Sequence, residues 1–318
     1  MLINITAAFV LDLILGDPVF RYHPVRLIGS MLLFYKKFFY RLRYKLLGGT
    51  FFVISALLSV FISTQILEYA KRFLYLPSSI NLLVIGMAFF LFCNRDMAKE
   101  ARSIYRCLEE QDLEKARARV GRIVGRDTKQ LDEKGVIRAA VESVAENIVD
   151  GFTGPLFYLA LGGIPLAYIY KTVNTIDSLF GYRNEKYEKF GKAGARLDDF
   201  LNYVPARLNV LILFCASGFK KNVLSTIRVY GGKHSSPNAG MSEAGFSGYL
   251  GLALGGPSLY GGDLKTKQWI GENRLGEKEL EDPSLILKAV SFYWKTVAVE
   301  LIIFLAALYF LKLPLVFS

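Results

Sequence analysis

The chain has 318 residues, 53% hydrophobic and 14% aromatic, and a formal charge of +11. Its apolar residues are gathered into long runs, which excludes the composition of an ordinary soluble domain. Cys93, Cys107 and Cys215 stand singly, so neither a disulfide framework nor a zinc site is indicated.

In chain order, "MLINITAAFVLDLILGD" is apolar but lacks a basic start and a small-residue cleavage pattern, and Asp12 interrupts it. It reads as a retained, short membrane segment. "MLLFYKKFFYRLRYKLL" at 31–47 interleaves aromatics with bases and suits a helix lying in the membrane interface. "TFFVISALLSVFISTQIL" at 50–67 carries no charge and is long enough to cross a bilayer. After a short link, "SINLLVIGMAFFLFC" at 79–93 forms a second apolar run. The segments 17–48 and 94–138 are rich in Lys and Arg, whereas the link 68–78 has only Lys71 and Arg72. By the positive-inside rule the two basic segments face the cytoplasm. Because these bases flank hydrophobic spans, a membrane explains them better than nucleic acid does.

The insert 94–138 is polar and helical, with Leu113, Ala116, Val120 and Val124 on one face. Gly125 can end that helix, and Asp127 with Gln130 can cap the next. That next helix carries Glu142, Glu146 and Asp150, and steps of four keep all three on one face. A third apolar run, 152–170, is interrupted by Pro155, Gly162, Gly163 and Pro165, so a broken or re-entrant path is expected. "NVLILFCASGF" at 209–219 is short for a crossing, and "VAVELIIFLAALYFLKLPLVFS" closes the chain as a membrane anchor. No strand is evident. The expected architecture is all-α: one membrane-embedded domain over 1–318, multi-pass, with a cytoplasmic helical insert.

Four polar constellations stand out. In "LGDPVFRYHPVRLIG" the two X-Pro steps fix a tight path on which Asp17, His23 and Arg26 can meet, although a capped turn is the plainer alternative. Arg126 and Asp127 precede the acidic row of Glu142, Glu146 and Asp150, with Asn147 beside it. Hard cations take such oxygen ligands. An ion-paired helical face is the competing reading, with Arg138 one partner for Glu142. Between 174 and 209 lie Asn174, Asp177, Tyr182, Arg183, Arg196, Asp198, Asp199 and Arg207. Arginine forks suit phosphate or carboxylate, and the aspartates suit a cation; a charged connecting loop is the alternative. Finally, "GGKHSSPNAGMSEAGFSGYLGLALGGPSLYGG" at 231–262 joins Ser236, Asn238 and Glu243 to many glycines. It matches neither a Walker pattern nor a dinucleotide fingerprint.

Taken together and in order, "GDP…HPVRLIG", "VGRDT…ESVAEN…DG…PLFY", "VNTIDSLFGYRNEKYEKFGKAGARLDDFLNYVPARL" and "HSSPNAGMSEAGFSGYLGLALGGPSLYGG" resemble the adenosylcobinamide-phosphate synthase family of cobalamin biosynthesis, often labelled CbiB or CobD. The resemblance implies a multi-pass enzyme of the cytoplasmic membrane. Its implied reaction is ATP-dependent: the carboxylate of adenosylcobyric acid is joined to aminopropanol phosphate or a related amino alcohol as an amide. It implies ATP and Mg2+ and a corrinoid partner; the basic flanks put the site on the cytoplasmic side, and association with further copies or with other late cobalamin-pathway membrane proteins stays open. On that basis Glu142, Glu146, Asp150, Asp177, Asp198 and Asp199 are candidate metal ligands. Arg126, Arg183, Arg196 and Arg207 are candidates for phosphate oxygens, with Asp17, Arg26, Asn147, Asn174, Tyr182, Ser236 and Asn238 as further substrate contacts. His23, Glu146 and Glu243 are candidate acid–base groups. A transporter, or a non-catalytic membrane sensor or scaffold, is the rival class; the latter would lack most of these motifs.

Overall fold

The computed structural model describes residues 2–18, 20–73, 82–181 and 187–311. Tyr182, Arg183, the link 74–81 and the terminal 312–318 lie outside them. In chain order the helices begin with α1 (Leu2–Leu15), α2 (Pro24–Phe39), α3 (Lys45–Phe73), α4 (Leu82–Phe89), α5 (Asn94–Glu109) and α6 (Leu113–Val120). Then come α7 (Glu133–Ile148), a π-helical turn (Val149–Thr153), α8 (Gly154–Phe180), α9 (Lys192–Ala216) and α10 (Lys221–Tyr230). A 3-10 turn (Gly231–Lys233) leads to α11 (Ala239–Leu250), four short strands, α12 (Glu277–Leu280) and α13 (Ser284–Leu311). The chain is a multi-pass helical membrane protein.

Two compact units make up the chain. The first contains 1–94, 150–202 and 307–318; the second contains 95–149 and 203–306. In the first, α3 packs against α8 and α2, and α1 packs against α4. Ala56 and Phe52 of α3 are buried, whereas Ile54, Leu58, Ile62 and Ile66 are exposed. A helix that is apolar all round and leaves one side uncovered is placed for lipid, because its own backbone bonds satisfy every peptide group there.

Long apolar helices occur at Lys45–Ala70, within Glu133–Phe180, at Lys192–Ala216 and at Ser284–Leu308. Three sequence expectations change. Among its described residues, 82–93, the run 79–93 yields α4 alone, eight residues or ~12 Å of helix, well short of a ~30 Å hydrocarbon core. Conversely, the polar residues from Lys192 up to 208 are not a connecting loop: they form the first part of α9, whereas 187–190 are a turn and Glu185 and Lys186 lie outside the described residues. Likewise the interfacial helix expected at 31–47 is α2, which stops at Phe39. The interruption expected within 152–170 lies in α8 at Gly162 and Gly163; the φ of +63° at Gly163 suits glycine.

In the second unit α11 packs against α10 and α7. Asp112 caps α6, and Asp132 caps α7 by accepting the Gly135 N–H at 2.7 Å. Asp127 therefore does not cap α7; its carboxylate accepts the Gly262 N–H at 2.8 Å. The polar insert helix also ends earlier than expected, at Val120.

Strands are present, contrary to the sequence reading. β1 (Leu254–Gly255) pairs antiparallel with β4 (Trp269–Ile270), and β2 (Ser258–Tyr260) with β3 (Asp263–Lys265). Gly261 and Gly262, at φ +61° and +86°, close the second pair with a two-residue turn of the kind only positive φ permits.

Candidate active site

In the second unit the site is built where α7 meets the strands. Arg126 forms an ion pair with Glu142, and both side chains are about nine-tenths covered. Arg126 Nη1 also donates to Ser258 Oγ at 3.2 Å, while Glu142 Oε1 accepts the Gly255 N–H at 2.6 Å. The Asp127 N–H donates to the Leu259 carbonyl at 2.8 Å, so the "GRD" turn is stitched to β2. Burial lowers the proton affinity of the Arg126 guanidinium, and the neighbouring Tyr260, Glu243 and Glu146 oppose that effect. Arg138 is not the partner of Glu142. Its guanidinium lies 4.5 Å from the ring centre of Trp269 instead.

Glu243, on α11, is 4% exposed. Burial first, and the charge of Glu146 second, push its carboxyl up to about 8, against the pull of Lys267 and Arg126. His234 Nδ1 accepts the Ser236 N–H at 3.0 Å, so a neutral ring carries its proton on Nε2, which stands 3.7 Å from Glu243 Oε1. Glycine makes this packing possible: a Cβ on Gly240 would run into the Gly231 carbonyl and the His234 side chain. Ser236 and Asn238 shape the same turn, the Asn238 N–H donating to Ser236 Oγ at 3.3 Å. Arg207 donates to Asn238 Oδ1 at 2.6 Å and lies 3.6 Å from the centre of the Tyr203 ring. Asn147 Nδ2 donates to Tyr293 at 3.4 Å, and Glu146 is exposed.

The first unit holds a separate acidic group. Asp150, in the π-helical turn, bonds to Asn174 and Asn202. Asn202 Nδ2 donates to Asp198 Oδ2 at 3.0 Å, and Tyr170 donates to Asn202 Oδ1 at 2.8 Å. Asp198 is within electrostatic reach of Asp150, Asp177 and Asp199, and Lys171 Nζ donates to the Asp150 carbonyl at 3.4 Å. A π-turn offsets side chains from the helical row, which is one way to aim a residue at a site. In the same unit Asp17 Oδ1 and His23 Nε2 are 2.6 Å apart, with His23 buried edge-on against Phe90. Arg26 and Arg196 are exposed, and neither side chain has a partner among the described residues.

A family model described as CobD/Cbib protein matches residues 5–292. The chain belongs to the CobD/CbiB family. It is 37% identical to the cobalamin biosynthesis protein CobD of Clostridium perfringens, covering 93% of this chain and 96% of that protein. It is 39% identical to CbiB of Salmonella typhi over 94% and 95% of the two chains. CobD of Leptospira interrogans is 40% identical over 85% of this chain and 87% of its own length. No solved structure gives a significant match. As a CobD/CbiB family member, the chain has a role in cobalamin biosynthesis.

Within this CobD/CbiB chain the six carboxylates expected to hold magnesium do not form a ready coordination shell. Among the described residues no group of three or more His, Cys, Asp or Glu side chains is placed to bind a metal. Glu142 is committed to Arg126 and the Gly255 N–H. Asp198 fits a cation better: it is buried, and its Oδ1 has no hydrogen-bond partner. Magnesium commonly takes one or two carboxylates and completes its shell with water and substrate phosphates, which this donor set allows.

Several participants escaped the sequence reading: Ser258, the Gly255 N–H, Lys267, Asn202 and Lys171. Asn202 carries a legible signal, lying four residues after Asp198 on the same helical face. Lys267 and Trp269 fall in the less characteristic "KTKQWIGENR" stretch, and only tertiary pairing brings them to the site.

Proposed function

We propose that the chain catalyses ATP-dependent amide ligation between the carboxylate of a corrinoid acid and the amine of an amino alcohol or its phosphate. A carboxylate is a poor electrophile. In the proposed reaction its oxygen attacks the γ-phosphorus of ATP, the bridging P–O bond breaks, and ADP leaves. The amine then attacks the resulting acyl carbonyl, phosphate departs, and the ammonium proton passes to a base. Glu243 is that base, since a carboxyl with a proton affinity near working pH both accepts and returns protons readily. Glu146 tunes it by like-charge repulsion, and His234 stands behind it.

The observation that carries this reading is the buried Glu243 carboxyl beside the Arg126–Glu142 pair. Arg126, held by Glu142 and Ser258, offers preorganised positive charge for phosphoryl oxygens. In the first unit, taken by itself, Asp198 with Asp177 and Asp150 as neighbours would hold a cation of the magnesium class. Glu142 serves as a positioning group for Arg126 rather than as a metal ligand. The site faces the cytoplasm in this proposal, following the bases of 17–48 and 94–138.

A direct product assay tests the proposal. Purified protein is incubated with cobyric acid, ATP, magnesium and either amine, and the amide is sought by mass. Amide formed only with ATP supports the ligase; no amide with either amine, alongside substrate uptake into sealed vesicles, supports transport instead. The broken α8 is the feature that favours that second reading.

A further inference from the structure

A hollow of about 490 Å³ lies in the second unit, along the N-terminal part of α13 and against α5. Its floor is one stripe of α13, with Leu287, Val290, Trp294 and Ala298 at helical spacing. Its rim carries two cations, Arg102 from α5 and Lys295 from α13. Both are exposed, and neither is paired among the described residues. None of the motif carboxylates lines the hollow. The stripe belongs to a helix long and apolar enough to span a bilayer.

We propose that this groove is a binding site for an anionic phospholipid, its headgroup phosphate held between Arg102 and Lys295 and its acyl chain laid along Leu287, Val290 and Ala298. The charge is complementary: two unpaired bases flank an apolar trough, and the trough holds no acid that would repel a phosphate. Trp294 has the amphipathic ring that settles at headgroup level. Lys295 and Arg102 have stems that lie along apolar surface while their charged ends reach the interface. A free nucleotide is less well matched, because the trough lies on a membrane-spanning helix and offers no acidic group for a phosphate-bound cation.

The test uses the full-length protein in detergent and native mass spectrometry, with phosphatidylglycerol and phosphatidylcholine as probes. The wild type retains phosphatidylglycerol in preference to phosphatidylcholine. At roughly fivefold per cation, Arg102→Gln/Lys295→Gln weakens that retention about 25-fold and abolishes the preference. Both positions are exposed, so the variant folds, as an unchanged unfolding profile without lipid would verify. Equal retention of the two lipids by wild type, or an unchanged preference in the double variant, overturns the proposal. So does displacement of phosphatidylglycerol by ATP together with a raised KM for ATP in the double variant, since the groove would then belong to the nucleotide.

Discussion

Glu243→Gln tests the electrostatics of the site most sharply. Glutamine keeps the shape of the side chain and removes its titration. In the folded protein the Glu243 carboxyl is pushed from 4.5 to about 8, chiefly by burial and then by Glu146. Between those pH values the unfolded chain has released a proton that the folded chain retains. Folding is therefore increasingly disfavoured as pH rises through this window, by 1.36 kcal/mol for each tenfold change in proton activity. The contribution present below pH 4.5 is lost by about pH 8, and the full loss is roughly 5 kcal/mol at most. The assay is thermal unfolding in detergent at pH 5 to 9. Wild type and Glu243→Gln have similar midpoints near pH 5, and the variant becomes progressively the more stable towards pH 8. Turnover of the wild type rises through an apparent pKa near 8, and the variant loses on the order of 10²–10⁴ in rate. Glu146→Gln keeps the base but moves that inflection to lower pH, a change that simple misfolding would not produce. Parallel stability profiles for wild type and Glu243→Gln would refute the reasoning.

Three further outcomes are expected. Arg126→Ala strands the buried Glu142 carboxylate and costs roughly 3–5 kcal/mol by chemical unfolding, and a second change, Glu142→Leu, restores much of it. Gly271→Ala destabilises by at least ~1–3 kcal/mol, because φ is +88° and a Cβ would collide with Ser247 Oγ; Gly262→Ala, at φ +86° but in open space, costs less in the same assay. Asp198→Asn raises the magnesium concentration needed for half-maximal turnover at least tenfold, and an unchanged magnesium titration removes Asp198 from the proposed cation site.

The sequence made the helical membrane architecture legible wherever apolar runs were uniform, as in α3 and the last span. It misled where one helix mixes polarity in an unusual sense. Asp198, Asn202, Ala206, Asn209 and Leu213 of α9 are buried, whereas Phe200, Val204, Leu208 and Leu211 are exposed. Averaged hydropathy dilutes that pattern, and Pro205 lies inside the helix without ending it. The acidic row of α7 was visible as a row, but its chemistry was not. Glu142 is claimed by Arg126, sixteen positions earlier, and by the Gly255 N–H, far later in the chain, and spacing within one helix cannot reveal either. Likewise the strands hide in a glycine-rich stretch, because two- and three-residue pairings leave no alternating pattern to read.

The reversed polarity of α9 fixes how that helix can be turned about its own axis. A roll by one residue position, about 100°, would swing Asp198 and Asn202 outward to hydrocarbon and press Phe200 and Val204 inward. An acid alone facing lipid costs at least ~2.5 kcal/mol, and the amide adds to it. Such a helix has one azimuth and no neighbouring alternative, so the carboxylates it carries are indexed by the bilayer itself as much as by the protein around them.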